Sequence, residues 1–321
     1  MKLGVLTVIL GDLSLEDTLR YLKGLGVQAV EIGCGGSPGT AHCDAVKFMK
    51  EPALISKFTD TIKKYDMQIS CLSVHGNAVH PNPDIAKWDH EQFEAAVLLA
   101  EKIGVDRVTT FSGCPGDHEG AKYPNWVTCT WPTDYQEILK WQWEEKLIPY
   151  WQKEAKFAAD HGVKVCFEMH PGFCVYNPAT MLKIRKYAGD NIGANFDPSH
   201  LFWQGIDPVA AIRELKGAIF HFHAKDTYID PYKTAVNGVL DTTRFDQMES
   251  RDWLFRTVGY GHGEETWRAI CSELRSTGYD YVMSIEHEDG LMTPKEGLEK
   301  AIEFLKRVMI FEEQNGNMYW A

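Results

Sequence analysis

The chain has 321 residues, 33 Lys and Arg against 45 Asp and Glu, a formal net charge of −12, 12 histidines and 44% hydrophobic residues. Its basic residues are scattered, which argues against a nucleic-acid partner, because neutralising phosphates needs a Lys and Arg surface. No apolar run of about 18 residues marks a membrane span, MKLGVLTVILGDLS is too short and acid-terminated for a secretory leader, and the eight cysteines show no Cys-x-x-Cys spacing; a reduced, cytoplasmic protein is expected.

In chain order, one strand-and-helix unit recurs. Gly4 to Leu10 reads as strand one, and Ser14 with Asp17 opens a helix carrying Leu15, Leu19 and Leu22 at helical spacing. Ala29 to Gly33 is strand two, with Glu31 near its carboxyl end and a glycine-rich loop behind it. A helix from Phe58 to Tyr65 precedes strand three, Met67 to His75, which runs into HGNAVHP. The stripe Phe93, Ala96, Val97, Ala100 predicts a helix from about His90 to Ile103, stopped by Gly104 before strand four, Arg107 to Phe111.

The long polar and aromatic stretch from Ser112 to Asp134 reads as a lid or a subunit contact. One helix from about Tyr135 to His161 then leads to four strand-like segments that each deliver a polar residue: Glu168 in VKVCFEMH, Asp197 in IGANFDPSH, His223 in AIFHFHAKD and Glu286 in YVMSIEHED. The 226–263 stretch interrupts the period as an insertion, Trp267 to Thr277 and Pro294 to Ile310 are the last helices, and the tail 311–321 has no predicted element. Eight strand and helix pairs without a linker point to an α/β fold, a single (β/α)8 TIM barrel over 1–321, a type that runs to about 250 residues and more with insertions.

Each of the four segments alternates, so that Val165 and Phe167, Ala194 and Phe196, Phe220 and Phe222, or Met283 and Ile285 occupy one face and the polar residue the other. Gaps of 29 and 26 residues between Glu168, Asp197 and His223 match the ~30 residues of a strand-helix-strand unit. Successive parallel strands deliver their ends to one rim, so the four side chains are expected to clasp one divalent cation. Three carboxylates and one imidazole form an oxygen-rich set that favours Mn2+, with Mg2+, Co2+ or Zn2+ as alternatives.

The order of VEIGCGG, HGNAVHP, EMHPGF, NFDPSH, HFHAKD, GYGHGEETW and SIEHED resembles the sugar isomerase and epimerase group of xylose isomerase-like TIM barrels. That group includes D-tagatose 3-epimerase, inosose dehydratase and the catalytic subunit of C-glycoside deglycosidases. The resemblance implies the fold, metal ligation by Glu168, Asp197, His223 and Glu286, a substrate-hydroxyl contact by His200 and substrate binding by Arg256. Tagatose-type epimerases carry a second glutamate six residues after the first; Cys174 stands there. This departure counts against ketohexose epimerisation of that kind.

The expected activity is a divalent-metal-dependent sugar isomerase or epimerase that abstracts a proton beside a carbonyl of a sugar or keto-sugar, through a metal-stabilised enediolate. Glu168 and Glu286 are its expected acid-base pair. The alternative is a metal-dependent lyase on an oxidised sugar; a repair endonuclease and a non-catalytic sugar-binding subunit rank below it. The partners expected are a small carbohydrate and further copies of the chain, with a small accessory subunit if the enzyme is deglycosidase-like.

Other polar residues carry paired readings. His170 is a separate base or a loop cap, and His221 contacts substrate, orients a ligand or fills the core. Glu31 and His75 bind sugar hydroxyls or cap strand ends. Lys225 and Asp226 read as a structural ion pair, and Glu288 as a surface or orienting group.

Overall fold

The computed structural model describes residues 1–313, so the end of the 311–321 tail lies outside the described residues. Among the described residues there are ten strands: β1 (Lys2–Leu6), β2 (Ala29–Gly33), β3 (Gln68–Ser73), β4 (Arg107–Thr110), β5 (Lys164–Glu168), β6 (Ile192–Phe196), β7 (Ile219–Ala224), β8 (Asp226–Ile229), β9 (Trp253–Arg256) and β10 (Val282–Ile285). Eight of them close into a barrel in the order β1-β10-β7-β6-β5-β4-β3-β2, every pair parallel. Helices connect the strands, and this is the expected TIM barrel.

The alternation in the sequence sorts side chains between two environments. Phe167 meets Trp151 of the surrounding helix Ile148–Asp160 at 4.4 Å, and Phe196 stacks on Phe222 at 5.6 Å. With these rings on the helix-facing side, Glu168, Asn195, His221 and His223 fall on the barrel interior, because neighbouring residues of a strand point to opposite faces.

Several boundaries differ from the sequence reading. Strand one ends at Leu6, and Thr7–Leu10 form a 3₁₀ turn. The helix expected from His90 begins at Pro83, because Asn82 caps it by accepting from Asp84 N at 3.0 Å and Pro83 fits the first turn, where no N–H is needed. The single helix expected at 135–161 runs unbroken from 134 to 160 but changes pitch, with Asp134–Trp141 and Ile148–Asp160 α-helical and Gln142–Leu147 between them a π-helix. Pro149 lacks an N–H and cannot continue the regular ladder there. The 226–263 insertion folds as an antiparallel ribbon, β8 against β9, in which Asp226 pairs with Arg256.

Candidate metal centre

Four elements bring Glu168, Asp197, His223 and Glu286 together at the carboxyl end of the barrel. Glu168 is the last residue of β5, Asp197 follows β6, His223 lies one residue before the end of β7, and Glu286 follows β10. One donor atom from each lies within 4.8 Å of all the others. His223 Nδ1 is 3.2 Å from Glu168 Oε2 and 3.0 Å from Glu286 Oε2. Asp197 also caps the short helix Pro198–Phe202, its Oδ1 accepting from Ser199 N at 2.8 Å, which aims Oδ2 elsewhere. The Glu286 side chain is 17% exposed and those of the other three at most 2%, so the cluster opens to solvent on the Glu286 side.

Asp197 Oδ2 and His223 Nδ1 are buried and form no hydrogen bond of regular geometry, although Lys225 Nζ stands 3.1 Å from the first and carboxylate oxygens of Glu168 and Glu286 stand 3.2 and 3.0 Å from the second. Buried polar atoms favour well-formed bonds, so two of them facing one cluster of carboxylates suit a shared cationic partner. Three carboxylate groups and an imidazole suit a divalent cation such as Mn2+, Mg2+ or Zn2+, and the residues fit such an ion. Burial lifts the Asp197 carboxyl to about 7 against the pull of Lys225, with Glu168 and Glu286 adding to the rise. Burial acts in the same sense on Glu168, but the imidazoles of His200, His223 and His75 outweigh it and hold that carboxyl well below its usual range.

Beneath this cluster lies a second polar layer. His223 Nε2 donates to Glu31, 3.0 Å from each carboxylate oxygen, and Glu31 also accepts from Ser73 and from Thr109 Oγ1 at 3.3 Å. Glu31 is fully buried, and its bonds to His223, Ser73 and Thr109 set it behind the His223 ring, where the sequence reading had it bind a sugar hydroxyl or cap a strand end. His221 occupies the core position that stood beside its substrate and orienting readings. Its ring is wholly buried, with Nδ1 3.0 Å from Asn195 Oδ1 and Nε2 3.3 Å from Ser70 Oγ, and burial lowers its pKa to about 3. A two-residue period tells which face a side chain occupies and says nothing of its depth.

The remaining expected residues divide by reach. His200 Nε2 donates to Glu168 Oε1 at 3.0 Å and lies 3.4 Å from Asp197 Oδ2, and His75 Nε2 sits 3.0 Å from Glu168 Oε2. His170 lies beside His200 with ring centroids 4.1 Å apart and the rings tilted by 51°, and its Nδ1 donates to Pro171 O at 2.6 Å, which leaves Nε2 as the acceptor. Burial lowers the His170 pKa, so the ring is neutral near pH 7. Arg256 is held by Asp289, Nε to Oδ2 3.0 Å, with its guanidinium 5.7 Å from the Tyr260 ring centre. Beside His75 a cleft of about 580 Å³ opens, lined by Phe111, Phe173, Ile85 and Trp88; Phe111 and Phe173 stack at 4.2 Å.

Lys225 was misread in the sequence. Its buried ammonium lies 3.1 Å from Asp197 Oδ2, 2.7 Å from Glu286 Oε2 and 3.0 Å from Glu288 Oε2. It is part of the cluster, and Asp226 is not its partner. Asp226 turns the other way and accepts from the backbone N–H groups of Gly259, Gly261 and His262 at 2.9–3.2 Å, from His262 Nδ1 at 2.8 Å and from Trp267 Nε1 at 3.2 Å. A Cβ on Gly261 would sit 2.2 Å from Thr227 O, which accounts for glycine in this tight packing of the loop on β8. The signal was available: adjacent strand residues face opposite ways, so Lys225 and Asp226 could not both point into one ion pair.

A family model described as a xylose isomerase-like TIM barrel matches residues 19–308. An uncharacterised Bacillus subtilis protein, YfiH, is 36% identical, with 96% of this chain and 99% of that protein covered. Three solved structures share the fold. The first is AsbF of Bacillus anthracis, titled a probable 3-DHS dehydratase (TM-score 0.67, 17% identity, 95% and 99% of the two chains covered). The second is IOLI with a bound zinc atom (0.65, 18%, 96% and 96%), and the third a D-tagatose 3-epimerase-like protein (0.63, 21%, 96% and 98%).

Proposed function

The chain belongs to the xylose isomerase-like TIM barrel family, and from that premise we propose that it is a divalent-metal-dependent sugar isomerase or epimerase. The observation that carries the reading is the approach of Glu168 and Glu286, from well-separated strands, to one nitrogen of His223 at 3.2 and 3.0 Å. Such a pair flanks a bound substrate with two carboxylates in a cluster whose buried atoms call for a cation. Glu168, Asp197, His223 and Glu286 would hold that ion, which supplies electrophilic stabilisation of the negative charge developing on a sugar oxygen.

The protein's own groups do the rest. Glu286, the most open of the four, is held low at about 2: burial would raise it, but Lys225 and His223 dominate, so it stays ionised and able to accept a proton. His170, whose Nε2 is free to accept, offers a second base within reach of Glu168 and His200. Phe111 and Phe173 offer a flat apolar wall to a sugar's C–H face. Removing the proton beside the carbonyl leaves an enediolate; returning it to a different carbon isomerises, and returning it to the opposite face epimerises.

A second reading is elimination from an oxidised sugar, favoured by the neutral His170, since the same first step followed by loss of a leaving group needs one base and one acid. The test is solvent deuterium wash-in with a panel of ketoses, 3-keto-glycosides and inososes, with Mn2+ and with chelator. Exchange at one carbon without release of a fragment supports isomerisation or epimerisation, release supports elimination, and no exchange with any of them overturns both.

A further inference from the structure

Outside the barrel, the helices Pro83–Ile103 and Ile148–Asp160 bring together three ligand-type side chains that the mouth does not use. His90 and Glu94 are four residues apart and share a helix face, with His90 Nε2 3.5 Å from Glu94 Oε1. Glu154 reaches across from the other helix, its Oε1 4.0 Å from His90 Nδ1. One donor atom from each of the three lies within 4.8 Å of the other two.

Glu154 is the unusual member. Its side chain is 0% exposed; Oε1 accepts from the exposed Lys153 Nζ at 3.0 Å, while Oε2 is buried with no hydrogen-bond partner. A buried carboxylate with one oxygen unmatched is costly unless a proton, a water or a cation meets it. The surroundings are negative: burial and the charges of Glu154, Glu94 and Asp89 push the nearby Tyr150 phenol upward, and its Oη lies 3.2 Å from His90 Nδ1.

We propose that His90, Glu94 and Glu154 form a second divalent-cation site, suited to zinc, that staples these two helices together. One imidazole and two carboxylates leave room for water in a tetrahedral set, and an imidazole with a carboxylate one turn further along presents two ligands from a single face. The staple would brace a specific contact. Phe93 and Trp151, each one to three residues from a ligand, meet edge to face at 5.4 Å, and Trp151 Nε1 donates to Ser112 O at 2.7 Å. Through that bond the cation would steady the start of the 112–133 loop at the rim of the barrel.

The experiment uses the full chain, stripped with chelator and titrated with Zn2+ against a chromophoric chelator. The expected result is two zinc ions bound per parent chain and one in Glu154→Gln, with His90→Gln, a change at a partly exposed position, giving the same loss should Glu154→Gln not fold. Asp197→Asn, which disables the mouth cluster, keeps the outer ion, and Zn2+ still raises its melting temperature; adding Glu154→Gln to it abolishes that rise. Unchanged stoichiometry and affinity in both Glu154→Gln and His90→Gln overturn the outer site. Loss of one ion in Glu154→Gln but none in Asp197→Asn leaves the outer site standing and counts against the mouth.

Discussion

His223 Nε2 lies 3.0 Å from each carboxylate oxygen of Glu31, on the side of the ring away from Glu168 and Glu286. The carboxylate thereby fixes which nitrogen carries the proton and leaves Nδ1 directed at the cluster, the arrangement by which a buried acid orients a metal-binding imidazole. Glu31→Gln is expected to weaken divalent-cation affinity at the mouth by about 10- to 100-fold. Competition with a chelator of known affinity measures it, and an unchanged constant would show that Glu31 does not act through His223.

Lys225 neutralises charge in a place that water barely reaches. Lys225→Met leaves Asp197 and Glu286 facing each other without their ammonium, and removing one partner of a buried ion pair costs about 3–5 kcal/mol. Urea unfolding of the metal-free variant should show a loss of that order. A loss under about 1 kcal/mol, the range of exposed pairs, would mean that the side chain relaxes out of the cluster.

The acid-base assignment is open to direct comparison. Glu168→Gln is expected to cut kcat by roughly a hundred- to ten-thousand-fold on whichever sugar the wash-in panel identifies. A loss of that size in His170→Ala, with metal affinity kept, assigns the proton transfer to the imidazole. A change of a few-fold assigns it to the carboxylates. Chelator treatment should bring the parent to background rate and Mn2+ should restore it; activity that ignores both would remove the metal from the reaction.

Two histidines that are not among the four ligands set an acid limit on stability. His42, whose Nδ1 and Nε2 meet Thr7 Oγ1 and Leu13 O at 3.1 Å, has its pKa lowered by burial, and burial holds His221 at about 3. Unfolded imidazoles titrate near 6.5. Above that pH neither state takes the proton; as pH falls below it, the unfolded chain binds protons that the fold refuses. Stability is then lost by up to about 1.4 kcal/mol per pH unit for each group, with the His221 share continuing down to about 3. Urea midpoints between pH 7.5 and 4.5 should fall accordingly, and His42→Gln should flatten the slope; equal slopes would exclude His42.

The barrel was legible because its strands end on polar residues in phase, and Glu168, Asp197, His223 and Glu286 could be read as one rim before any coordinates. Depth was not legible: Glu31 and His223 look alike as inward residues near strand ends, yet one is packed behind the other. Arg256 was placed by resemblance alone, and only the folded β8–β9 ribbon shows that Asp289 holds it. The widened π-helical turns ahead of Pro149 were readable from the proline itself, whereas the meeting of His90 with Glu154 depends on how two helices pack, which no local pattern encodes.

Lys225 and Asp226 stand back to back, one gripped by the acids of the mouth and the other by the amides of the 259–262 loop. Adding or deleting a single residue between His223 and Asp226 would exchange their directions, putting a fourth carboxylate among three and an ammonium among N–H donors. Length is therefore intolerant of change in this short stretch, whereas residues 246 and 247, past the Phe245 ring that rests on Phe255, are exposed. Anyone grafting a new loop onto this rim to alter what it binds should cut there and leave the 223–226 step untouched.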